Sequence, residues 1–105
     1  MVQTIKSKEE FDQLIESSDK LVVTDFTASW CGPCKKIAPY YEALCKQYTE
    51  VVFLKVDVDE VGDLAEAWKI SSVPTFIFFK KGKKVAELKG ANEAALKAKI
   101  EELKC

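Results

Sequence analysis

The chain has 105 residues, 48% of them hydrophobic and 31% charged, and its 16 basic and 17 acidic side chains leave a net charge of -1. That length and apolar content suit a single domain over residues 1–105 with a continuous core, and near-neutrality leaves no overall field to draw in nucleic acid or an anionic membrane. No apolar stretch approaches the ~20 residues of a membrane span, and the Met1 to Ile5 start lacks the basic and apolar regions of a secretory signal, so the expected location is the cytoplasm.

In chain order, Val2 to Ile5 reads as a short edge strand. Ser7-Lys8-Glu9-Glu10 then has capping-box spacing, and Phe11, Leu14 and Ile15 recur at helical intervals, which predicts a first helix of about ten residues. Leu21 to Phe26, mostly β-branched and apolar, reads as a strand buried on both faces that delivers the chain to Trp30 and Cys31. From Cys34 the pattern turns helical, with Ile37, Tyr41, Leu44 and Tyr48 along one stripe and a kink expected at Pro39. Val51 to Asp57 is the next buried strand, and Val61, Leu64, Ala65 and Trp68 mark a short helix with Trp68 in the core. Pro74 to Phe79 passes through a Lys81-Gly82 turn into Val85 to Leu88, an antiparallel hairpin. Asn92 caps a last helix whose inner stripe is Leu96, Ile100 and Leu103. Two strand-helix-strand crossovers followed by a hairpin and a helix give an α/β fold, a mixed sheet with helices on both sides.

The chemistry concentrates in Ala28-Ser29-Trp30-Cys31-Gly32-Pro33-Cys34. A close cysteine pair can cycle between dithiol and disulfide. A turn from a strand end into a helix start should leave Cys31 facing solvent, and the helix N-terminus favours its thiolate, which makes Cys31 the expected nucleophile. Cys34, one turn inward, is placed to resolve a mixed disulfide formed on Cys31. Gly32 permits the tight backbone, and Pro33 presets φ at a helix entrance where its missing N–H costs nothing.

Three rival readings are weaker. Cys-x-x-Cys is also half of a zinc site, but there is no histidine, and Cys45 lies about 16 Å along the same helix from Cys34, too far for four ligands to converge. A pure interaction domain would not need both cysteines. The lysines at 80, 81, 83 and 84 surround a hairpin turn without aromatic residues among them for base stacking, so they read as a solvated loop.

The Trp30-Cys31-Gly32-Pro33-Cys34 run, an acidic residue six positions before the first cysteine, and the Val73-Pro74-Thr75 run downstream together resemble the thioredoxin family over the whole chain. The resemblance implies a central five-stranded mixed sheet in the order 1-3-2-4-5 with four flanking helices. It also implies protein disulfide reduction through a reversible Cys31–Cys34 cycle, with electrons supplied by a thioredoxin reductase. Diverse disulfide-containing proteins would be the targets; no bound cofactor or metal, no nucleic acid and no membrane are expected. Oxidase and isomerase relatives usually carry a histidine between the cysteines, so Gly32-Pro33 favours the reducing direction.

Carried over, Asp25 becomes a buried carboxylate beneath the pair, with a raised pKa that lets it relay a proton to or from Cys34, and Lys55 its charge partner. Read from the residues alone, Asp25 could equally cap a strand end, and Lys55 could snorkel to solvent. The Val73–Pro74 bond resembles the family's cis-proline, against the base rate of trans bonds. Trp30, Gly32, Pro33, Val73, Pro74, Gly90 and Ala91 would form a flat, mostly apolar docking surface, with Val73 backbone groups pairing with an extended substrate. Cys45 reads as a buried inert thiol. Cys105 reads as exposed and non-catalytic, on a monomer for which it offers a disulfide-linked dimer.

Overall fold

Ser7 opens the first helix, α1 (Lys8–Ser17), by accepting the Glu10 N–H at 3.2 Å. Glu10 returns the favour one residue early, accepting the N–H of Lys6 at 2.8 Å, so the capping box is shifted rather than reciprocal. The computed structural model describes all 105 residues. Ahead of α1 only Gln3–Thr4 forms a strand, β1, shorter than the Val2 to Ile5 expectation. After α1 come β2 (Val22–Thr27), α2 (Gly32–Gln47), β3 (Val52–Asp57), α3 (Gly62–Ala67), the hairpin strands β4 (Thr75–Lys80) and β5 (Lys83–Lys89), and α4 (Glu93–Leu103).

The strands form one sheet in the order β1-β3-β2-β4-β5, the order that the resemblance implies, with β1, β3 and β2 parallel and β4 antiparallel to both β2 and β5. Strand periodicity divides the side chains between two cores. Val23 and Phe53, with Phe76 and Phe78, meet the α2 stripe of Ile37, Tyr41, Leu44 and Tyr48 and the α4 residues Leu96 and Ile100. Val22, Phe26, Leu54, Val56, Ile77 and Phe79 face the other way, onto Phe11 and Ile15 of α1 and Leu64 of α3. Trp68 is half-buried against the second core, edge-on to Phe79 with ring centroids 5.1 Å apart. α2 runs as one helix through Pro39.

Parity has a consequence for the one buried acid. Asp25 is two residues beyond Val23, and Lys55 two beyond Phe53, so both fall on the α2 side of the sheet, and the β2–β3 register sets them beside each other. The Tyr41 hydroxyl reaches the same region, within 2.8 Å of the Leu54 carbonyl and 3.0 Å of the Val23 carbonyl, and so ties α2 to both strands.

At the hairpin, Lys81 (φ 51°) and Gly82 (φ 80°) both take left-handed backbone, as a two-residue turn of this hand requires. A Cβ at Gly82 would stand 3.4 Å from Glu16 Cγ. Gly82→Ala is therefore expected to lower the free energy of unfolding by about 1 kcal/mol in denaturant titration; an unchanged midpoint would contradict this account of the turn.

Candidate active site

β2 ends at Thr27, and after four intervening residues the chain enters α2 at Gly32. Cys31 is the N-cap residue of that helix, with extended backbone (φ -89°, ψ 111°), and its Sγ accepts the Cys34 N–H at 3.1 Å. Sulfur here takes the place of the oxygen that Ser, Thr or Asp supplies at most helix starts. Pro33 occupies the first turn, where no backbone donor is lost to it. The same geometry brings Cys31 and Cys34 into a disulfide, with Cα atoms 5.3 Å apart.

Contrary to the expectation of a solvent-facing nucleophile, Cys31 is only 4% exposed and Cys34 3%. Ala28, Val58 and Val73 pack around the pair, and the Val73 carbonyl lies 3.7 Å from Cys31 Sγ. The strand-to-helix turn does reach the surface, but Trp30 is what projects from it, 67% exposed, with its indole N–H donating to Asp59 Oδ2 at 2.9 Å. The sulfur sits beneath that surface in an apolar surround.

That surround contains the expected docking residues. The Val73–Pro74 peptide is cis, and the Pro74 carbonyl accepts the Gly90 N–H at 2.9 Å, which brings the β5–α4 turn alongside. Gly90 adopts φ 94° there, a conformation that suits glycine. Gly32, Pro33, Gly90 and Ala91 are exposed, Val73 is half-buried, and Pro74 itself is buried.

On β2, in register with Lys55 of β3, Asp25 is 1% exposed and its Oδ1 has no hydrogen-bond partner. Burial pushes its carboxyl up from the usual 3.8 to about 7, although Lys55 pulls in the opposite direction. Lys55 is half-buried. It lines an open cavity of about 350 Å³ together with Cys34, Thr27, Ala38 and Asp57, so the inner sulfur and the lysine share one solvent-reaching crevice. Cys45 is buried and Cys105 exposed, both as free thiols, as the sequence indicates. No group of three or more histidine, cysteine or acidic side chains stands together as a metal site.

Asp59 went unread in the sequence: its partner Trp30 is 29 positions away, and nothing local marks the pairing. Lys36, Ile37 and Glu93, which line a groove with Gly32, Pro33 and Ala91, were also missed as site residues. Helical spacing from Pro33 identifies Ile37, but only the fold brings α4 to α2.

The chain matches the thioredoxin family model over residues 2–102. It is 53% identical to thioredoxin-2 of Saccharomyces cerevisiae over 95% of this chain and 96% of that protein. Among solved structures, that of Plasmodium falciparum thioredoxin superposes with a TM-score of 0.92 at 51% identity, covering 95% of this chain and 97% of that one. A structure concerned with the thiol-resolving mechanism of a yeast mitochondrial 1-Cys peroxiredoxin through glutathione and thioredoxin systems gives a TM-score of 0.92 at 37% identity, over 97% of this chain and 95% of that one. Sulfurs joined at a helix start, on a sheet of this order, in a sequence this close to its relatives, establish that the chain belongs to the thioredoxin family of thiol-disulfide oxidoreductases.

Proposed function

We propose that the chain reduces disulfides in other proteins as a monomeric, single thioredoxin domain spanning residues 1–105, with electrons returned to it by a thioredoxin reductase. The observation that carries this reading is the Cys34 N–H directed at Cys31 Sγ. In the dithiol state the donor and the N-terminus of α2 favour negative charge on that sulfur, which is the form that attacks.

The Cys31 thiolate attacks one sulfur of the target disulfide; a bond forms between Cys31 Sγ and that sulfur, the target S–S bond breaks, and the other target sulfur leaves as thiolate. Cys34 then gives up its proton and attacks Cys31 Sγ, which closes the Cys31–Cys34 bond, breaks the Cys31–target bond and releases the attached target sulfur as thiolate. Two electrons pass to the target, and the dithiol ends as disulfide. Asp25 is the group assigned to take the Cys34 proton. With a pKa of about 7 it holds a mixed population near neutrality and can both accept and return a proton. Lys55, in register with it, moderates the cost of its charge.

For substrate, Trp30, Gly32, Pro33, Val73, Pro74, Gly90 and Ala91 supply the docking surface, and the Val73 carbonyl beside Cys31 Sγ offers a backbone acceptor to an extended target segment. A 1-Cys peroxiredoxin is one target class to try, by analogy with the yeast system of the structural neighbour. The two free thiols support operation in a reducing compartment, the cytoplasm being the one proposed. Cys105 stands outside the cycle.

Mass spectrometry of proteins captured by the Cys34→Ser variant tests the reading. Covalent mixed disulfides through Cys31 are expected, and Cys31→Ser should abolish turnover of a protein disulfide; a Cys31→Ser variant that keeps substantial turnover would overturn the assignment. Asp25→Asn should slow the resolving step more than the initial attack near neutral pH, as stopped-flow kinetics can separate; equal slowing would remove Asp25 from the proton path.

Asp25 also couples stability to pH. Its folded pKa, about 7, lies above the usual 3.8, so between those values the folded chain holds a proton that the unfolded chain releases. Stability should therefore fall as pH rises through this interval and level off above it, with Asp25 costing on the order of 4 kcal/mol at alkaline pH. Urea titrations should find Asp25→Asn more stable than the parent at pH about 8, with the gap closing toward pH about 4; a gap independent of pH would contradict the raised value.

A further inference from the structure

A groove of about 460 Å³ opens beside the redox pair, between the first turns of α2 and the turn leading into α4. Gly32, Pro33, Ile37 and Ala91 make its lining mainly apolar, and Lys36 from α2 and Glu93 from α4 add one charge of each sign. Both side chains are exposed, and neither forms an ion pair, with each other or with any other residue. They stand on separate helices, α2 and α4, and each is free to meet a counter-charge brought from outside.

The groove shares Gly32, Pro33 and Ala91 with the proposed docking surface and begins one residue after Cys31, so it adjoins the point at which a target disulfide would be attacked. We propose that Lys36 and Glu93 are specificity-determining residues, and that the groove receives the target segment flanking the attacked cystine, with acidic target side chains drawn to Lys36 and basic ones to Glu93. This rests on the disulfide-reductase reading and adds to it a charge code at one edge of an otherwise apolar docking face. Charges at such a rim act mainly through encounter and register, and salt screens them within about 10 Å at 0.1 M ionic strength.

Two cystine peptides that differ only in one residue flanking the cystine, Glu or Lys, provide the test, read as the ratio of kcat/KM for the Glu peptide to that for the Lys peptide. Because it is a ratio, general damage to the protein cancels. Lys36→Glu should lower it about tenfold and Glu93→Lys should raise it by a similar factor at low ionic strength, with both effects shrinking in high salt. A ratio that both variants leave within about twofold of the parent, or that both move in the same direction, would show that the groove does not select charge. Reduction of the small neutral 2-hydroxyethyl disulfide by the unaltered protein separates the two levels. If it is absent, the oxidoreductase reading fails and the charge code with it; if it is present and the peptide ratio does not respond, only the charge code fails.

Discussion

The hydrogen bond from the Cys34 N–H to Cys31 Sγ does two things at once: it caps the longest helix of the fold and it holds one sulfur of the redox pair. A helix start has backbone donors with no partner inside the helix, and something must accept from them. In α1 and α4 that acceptor is an ordinary oxygen, from Ser7 and Asn92. In α2 it is the sulfur of Cys31, so the group that caps the helix is also the one to which the proposed mechanism assigns the attack. The rest of the structure serves this arrangement. β2 carries the chain to the turn, Pro33 fits the first turn of α2, and the α2 stripe anchored by Tyr41 fixes the helix to the sheet.

The second constraint is a conflict the fold maintains. A carboxylate with an unpartnered oxygen in an apolar interior works against stability, and Lys55 offsets its cost only in part. Its position follows from strand parity: any residue at position 25 on β2 faces α2 beside Lys55, and Lys55 in turn lines the crevice of the inner sulfur. Stability given up at this position in exchange for a group that titrates near neutrality is a trade expected at a catalytic centre rather than in a plain core.

Much of this was legible in the sequence because its causes are local. Ser7, Asn92 and the Lys81-Gly82 turn carry their own backbone preferences, and the stripe of Ile37, Tyr41, Leu44 and Tyr48 needs only helical periodicity. The cysteine pair was legible for the same reason, four consecutive residues deciding the geometry. What failed depends on distant parts of the chain. Cys31 looked exposed because the turn itself reaches the surface, yet Val58 and Val73, far along the chain, close over the sulfur. The Trp30–Asp59 hydrogen bond and the approach of Glu93 to the α2 entrance arise from the packing of whole elements and leave no trace in spacing.

The central claim is that the sulfur capping α2 is the one held ready as an anion. Titration of thiolate absorbance in the reduced proteins, comparing the active-site thiol left in Cys34→Ser with that left in Cys31→Ser, tests it most directly. The account predicts that Cys31 ionises at distinctly lower pH than Cys34. Ionisation of Cys34 first, or of both thiols together, would contradict it.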